Sequence, residues 1–286
     1  MRRFASLALA AALTVVAGSA GAADSDTGVI PTVPSDCAVR PDLMAIGPAL
    51  ARVAARVEQG EPLTIVAVGS SSTEGVGATT PDLSYPSRLD MELKERFPDS
   101  TIRVVNRGKG GEDVAQMLTR LERDVIAAHP DLVVWQLGTN TVLRHDDFAG
   151  KQELIERGVA LFKEGGSDVV LMDMQYAPRV IARPAYPVME QMIANVAKSA
   201  RIGLFRRFEI MQQWQAAQRP DAPKMIGPDG LHMTDWGYGC LAADLAEALA
   251  WNWWSHEGEE SRLSAARIAG LVGPGHASTR AGPPPK

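Results

Sequence analysis

Leu63-Thr64-Ile65-Val66-Ala67-Val68, followed at once by Gly69-Ser70-Ser71-Ser72-Thr73-Glu74-Gly75, decides how the rest of the chain is read. The first six residues form a nearly continuous apolar run, which predicts a strand covered on both faces. The small, hydroxyl-rich segment after it predicts a turn. Similar apolar runs recur at residues 102–105, 132–137, 169–174 and 202–205. Helical patterns lie between them at 84–96, 112–128, 152–163 and 188–200. The second of these stops at His129-Pro130 and the third before Gly165-Gly166. An amphipathic helix over 41–59, closed by Gly60, precedes the first strand, and a long helix over 236–253 follows the last. Strands that alternate with helices at βαβ spacing predict a three-layer α/β/α sandwich around a parallel sheet of about five strands.

The 286 residues suit one such domain with tails, expected over 41–255. A net charge of −5 with no basic stripe argues against a nucleic-acid partner. Residues 1–22 have the pattern of a bacterial secretory signal: Arg2-Arg3, an apolar stretch rich in Ala, Leu and Val, then Ala20-Gly21-Ala22. Phe4 follows the arginines without the rest of a twin-arginine motif, so general secretion is expected, to the periplasm or outside the cell, with no membrane anchor after cleavage. Residues 23–40 read as an extended segment broken by Pro31 and Pro34. Residues 256–286 turn charged, then Gly- and Pro-rich, and are expected to be disordered, with a short helix over Glu260 to Ile268 as the alternative. Cys37 and Cys240 are the only cysteines, and in an oxidising compartment they are expected to pair.

In a parallel sheet, functional groups gather at the carboxyl ends of strands. Three predicted strand ends carry suggestive residues: Gly69 to Gly75, then Asn106-Arg107-Gly108-Lys109-Gly110-Gly111, then Gly138-Thr139-Asn140. Asp229-Gly230-Leu231-His232 follows near the C-terminus. Together they suit acyl transfer. A serine hydroxyl is a weak nucleophile until an imidazole takes its proton. His232 can do that, and Asp229 can hold the imidazole in the required tautomer. A glycine N–H and the Asn140 amide can meet the oxyanion.

These four blocks, in this order, resemble the SGNH (GDSL-like) hydrolase superfamily, and the likeness spans about residues 63–250. The family's first block, G-D-S-x-[ST]-x-G, aligns with Gly69 to Gly75 and makes Ser71 the nucleophile. An N-x-x-x-x-G block counted from Asn106 places the oxyanion glycine at Gly111, with Gly108 and Gly110 as close competitors. G-x-N falls on Asn140, and D-x-x-H on Asp229 and His232. The resemblance implies a flavodoxin-like sheet, a Ser71–His232–Asp229 triad, an oxyanion hole from Ser71, Gly111 and Asn140, and no metal or cofactor. One position departs from the pattern: Ser70 stands where the family has Asp, so the hydrogen bonding of the turn must differ.

Trp236, Tyr176, Arg179 and Tyr186 are candidates for the substrate rim. Arg206 and Arg207 read as surface charges, and His145 beside Asp146 and Asp147 lacks the further ligands of a metal site. The expected activity is hydrolysis of small acyl esters, O-acetyl above all, on a carbohydrate or cell-envelope acceptor. Acyl transfer, lysophospholipase or thioesterase activity, and a non-catalytic polysaccharide-binding role are the alternatives. Oligomeric state is left open.

Overall fold

The strands are β1 Leu63–Gly69, β2 Ile102–Gly108, β3 Leu132–Gln136, β4 Asp168–Met172 and β5 Gly203–Phe205. They form one parallel sheet in the order β2-β1-β3-β4-β5. This computed structural model describes residues 37–144 and 147–268, with side chains in the last helix as far as Trp253. The longer helices are α1 Ala51–Glu58, α2 Tyr85–Arg96, α3 Lys151–Glu164, α4 Tyr186–Ala200, α5 Arg207–Ala217 and α6 Asp235–Ile268.

Strand residues alternate between two cores, as a pleat with helices on both faces requires. Leu63, Ile65, Ala67, Leu132 and Val134 pack with α1, α2 and α6 through Val53, Leu89, Leu245 and Trp253. Val66, Val68, Val133 and Trp135 pack with α3 and α4 through Val159, Phe162 and Ile193. Each large aliphatic side chain so buried stabilises the fold by roughly 1.5–3 kcal/mol. The strand order reverses direction between β1 and β3, which opens a crevice at their carboxyl ends. The expected three-layer sandwich is therefore the observed architecture.

Several expected elements differ. The helix over 41–59 is split into Pro41–Met44 and α1. Gly47 has φ +110 and Pro48 disfavours helical geometry in the residue before it, so the helix cannot run through this stretch. There the Ile46 carbonyl accepts the Leu204 N–H of β5. The helix over 112–128 breaks into Val114–Leu118, Leu121–Asp124 and a 3₁₀ turn at Ile126–Ala128. At the break the Thr119 hydroxyl donates to the Gln116 carbonyl, which competes with helix propagation. Helix α5 was not expected at all. Helix α6 continues to Ile268 and takes in the 260–268 stretch given as the alternative to disorder, so residues 256–268 are helical. Glu259, Glu260, Arg262, Ala265 and Ala266 are good helix formers. Residues 1–36, with the expected signal peptide and most of the 23–40 segment, lie outside the described residues, as do 269–286. Cys37 and Cys240 are joined by a disulfide with Cα atoms 5.3 Å apart.

Candidate active site

β1 ends at Gly69, and the backbone turns sharply through Ser70 into a single helical turn, Ser71–Glu74, closed by Gly75 at φ +106. Gly108 of β2 lies so close that a Cβ there would sit 2.0 Å from the Glu74 nitrogen, which only glycine permits. Asn106 fixes this approach from both sides. Its amide donates to the Thr73 carbonyl at 2.8 Å, and its Oδ1 accepts the Gly108 N–H at 2.8 Å.

The turn is also held from below. Gln136 Oε1, at the end of β3, accepts from the Ser70 N–H (2.9 Å), the Ser70 hydroxyl (3.0 Å), the Ser72 hydroxyl (3.1 Å) and the Thr73 hydroxyl (3.2 Å). Ser70 thus donates where the family's Asp could only accept when ionised. Ser71 faces the other way and is partly exposed.

His232 brings its Nε2 to 2.9 Å from Ser71 Oγ, and its Nδ1 lies 2.5 Å from Asp229 Oδ2. With the Nδ1 proton given to Asp229, Nε2 is the acceptor for the Ser71 hydroxyl. Asp229 Oδ1 accepts the N–H groups of Leu231 and His232, both at 3.0 Å. Burial raises the Asp229 pKa, but these backbone donors and the His232 side chain outweigh it and hold the carboxyl below the usual range. Asp229 therefore stays ionised through neutral pH, as a partner for an imidazolium must.

Ser71, His232, Asn140, Gly110 and Gly111 line one cleft of about 440 Å³, with Val76, Leu143, Leu231, Arg144 and Arg179. The Asn140 amide uses one N–H on the Glu112 carbonyl at 3.0 Å and has a second to offer. Gly111 has φ +79, and Arg144 donates to its carbonyl. Of the competing glycines, Gly108 has its N–H committed to Asn106 and does not line the cleft, whereas Gly110 does. Asn140→Ala is expected to lower kcat by about 10²–10³ with a smaller change in KM, the cost of losing one oxyanion donor. Steady-state kinetics on an activated ester check this, and an unchanged kcat would remove Asn140 from the site.

Three expected rim residues do not line this cleft. Trp236 lines a separate cleft with Cys37, Arg88 and Cys240. Tyr176 packs edge-on against Phe208 at 5.2 Å, and Tyr186 stacks on the same ring at 5.1 Å. Arg179 does line the Ser71 cleft, and its backbone N–H donates to the Gly230 carbonyl of the His232 loop.

The sequence reading missed two buried arginines. Arg120 donates to Glu112 at 2.6 Å, to the Arg107 carbonyl at 2.9 Å and to the Gly69 carbonyl at 3.3 Å, which ties together the loops after β1 and β2. Arg207, expected at the surface, is fully buried beneath the Ser71 turn. Burial lowers its pKa to about 10 against the pull of Asp173. Its position in α5 is legible in hindsight, since Arg207, Ile210, Met211 and Trp214 share one buried helical face.

Asp173 lies at the end of β4, where burial lifts its carboxyl to about 8 against the Phe208 N–H and the Arg207 charge. An unfolded Asp ionises near 4. Stability from this group is fully present below about pH 4 and is lost as pH rises through about 8, because over that window only the unfolded chain gives up the proton. Asp244 and Glu190 are raised by burial as well and act in the same direction. Asp173→Asn should therefore show a smaller fall in Tm between pH 5 and 8 than the wild type. Thermal scans across that range test this, and equal slopes would refute it.

Residues 36–252 match the profile of the Non-GDSL lipase-like family. The chain is 41% identical over 104 residues to an acetylxylan esterase of Geobacillus stearothermophilus, covering 34% of this chain and 48% of that protein. It is 32% identical over 95 residues to an arylesterase of Vibrio mimicus, covering 33% and 46%. The chain thus spans about half the length of these curated relatives. Among solved structures, an acetylxylan esterase from Geobacillus stearothermophilus superposes with a TM-score of 0.54 at 21% identity, over 67% of this chain and 95% of that one. A two-domain esterase active on acetylated mannans, crystallised with mannopentaose, gives a TM-score of 0.60 at 22% identity, over 74% and 56%. At these identities the structural likeness shows the fold.

Proposed function

The chain belongs to the Non-GDSL lipase-like family, within the expected SGNH-like esterase group, and on that premise we propose that it is a serine esterase that cleaves small acyl esters, O-acetyl groups on glycans first among them. The observation that carries the proposal is the 2.9 Å contact of Ser71 Oγ with His232 Nε2, in the cleft that Gly111 and Asn140 also line.

Ser71 Oγ attacks the ester carbonyl carbon and passes its proton to His232 Nε2. The oxyanion is met by N–H groups of Ser71 and Gly111 and by the Asn140 amide. The intermediate collapses, and the acceptor alcohol leaves with the proton held on His232. Water then attacks the acyl-enzyme and gives a proton to the same Nε2; as the second intermediate collapses, Nε2 returns that proton to Ser71 Oγ, which frees Ser71 and releases the carboxylic acid.

The names of the acetylxylan esterase relative and of the mannan-active structural neighbour support an acylated glycan as substrate. Val76, Leu143 and Leu231 give the cleft apolar wall for a short acyl group, and Arg144 and Arg179 give it donors for an acceptor's oxygens. The signal-like N-terminus and the disulfide support a periplasmic or secreted location.

The proposal is tested on acetylated xylan, acetylated mannan and p-nitrophenyl esters of increasing chain length, beside a Ser71→Ala control. Acetate release that depends on Ser71 and declines with acyl length is expected. A preference for long chains, or turnover independent of Ser71, would refute it.

A further inference from the structure

Beneath the cleft, buried side chains form a connected polar network. Arg207 donates from Nη1 to the Ser72 hydroxyl and from Nη2 to Gln175 Oε1, each at 3.0 Å. The same Gln175 oxygen accepts the Thr139 hydroxyl at 2.8 Å. Gln175 Nε2 reaches the Leu231 carbonyl at a longer 3.5 Å. Arg207, Ser72, Thr139 and Gln175 are all 3% exposed or less. Arg207 has no carboxylate within ion-pairing distance among the described residues, and its Nε has no partner. A guanidinium buried in this way is costly.

Each spoke of the network ends one residue away from a group the reaction uses. Ser72 follows Ser71, Thr139 precedes Asn140, and Leu231 precedes His232. Nucleophile, oxyanion donor and base come from three separate chain segments after β1, β3 and α5, and this network spans all three.

We propose that Arg207 and Gln175 are positioning residues that hold Ser71, Asn140 and His232 in register from below; the inference rests on the esterase reading above. The contribution is geometric. Loops misplaced by about 1 Å lose on the order of 10²-fold in rate while substrate still binds.

Gln175→Met keeps the length of the side chain and removes every spoke bond it makes. For this variant kcat on p-nitrophenyl acetate should fall ~10–100-fold, with KM within about twofold of the wild type. The His232 Nδ1 proton, followed by NMR without substrate, should shift or broaden. A folded Gln175→Met protein with wild-type kcat and an unaltered His232 signal would overturn the proposal, as would lost thermal stability with kcat per folded molecule unchanged. Should Gln175→Met not fold, Thr139→Val and Ser72→Ala each remove one hydroxyl. A several-fold loss of kcat in each, less than multiplicative in the pair, supports the network, and wild-type rates in both overturn it. If the wild type hydrolyses no ester, the esterase reading falls, and the NMR signal alone then decides the network.

Discussion

Ser71→Ala is expected to abolish ester hydrolysis, with a fall in kcat on the order of 10⁶-fold, while the far-UV spectrum and Tm stay at wild-type values. The two halves of this result have separate causes. Chemically, Ser71 supplies the attacking oxygen, and no water held by His232 would match its placement. Structurally, little depends on its hydroxyl. The turn is held by its neighbours: Ser70, Ser72 and Thr73 on Gln136 Oε1, and the Thr73 carbonyl on Asn106. The substitution removes one hydrogen bond, to His232, at a partly exposed position. Rates on p-nitrophenyl acetate with a parallel melting curve give both readings. Activity retained in Ser71→Ala but lost in Ser70→Ala would mean that the register of the turn has been misread.

Asp229→Asn should lower kcat by about 10⁴-fold with the fold intact. The carboxylate serves two partners. Oδ2 accepts a hydrogen bond from His232 Nδ1–H, and Oδ1 accepts from the N–H groups of Leu231 and His232. An asparagine can still accept from the backbone with its one carbonyl oxygen. It then presents an NH₂ to Nδ1, which favours the tautomer with the proton on Nε2 and leaves Ser71 without an acceptor. The charge that stabilises the imidazolium is lost as well. The Asp229 side chain is 44% exposed, so its removal costs the fold little. Steady-state kinetics with circular dichroism test this. A loss of only a few-fold in kcat would show that Asp229 does not orient His232.

The centre of the sheet was legible because β1, β3 and β4 are short, nearly unbroken apolar runs, the pattern of a strand buried on both faces, whereas β2 is a half-buried edge strand with Arg103, Asn106 and Arg107. The reacting groups were legible because they follow those strands in short blocks with fixed internal spacing. Ser71, Asn140 and His232 do meet in one cleft. What depends on contacts between distant segments was not legible. Asn106 removes Gly108 from the candidate glycines by binding its N–H, a bond that motif spacing does not encode. Trp236 follows His232 by four residues, but His232 lies in the loop before α6, so helical spacing does not carry the indole to the cleft. Arg207 sits beside Arg206 at a helix start and looks solvated. Its burial follows from the apolar face it shares with Ile210, Met211 and Trp214, in a helix that composition alone did not announce.

The central claim is that Ser71 is the nucleophile activated by His232, and a mechanism-based phosphonate ester tests it most directly. Such a reagent phosphonylates an activated serine and stays bound, so the modified peptide can be located by mass spectrometry. The expected result is one adduct per chain, on Ser71, with labelling slowed by orders of magnitude in His232→Ala. An adduct on Ser70, on Ser72 or outside the cleft, with Ser71 unmodified, would contradict the account.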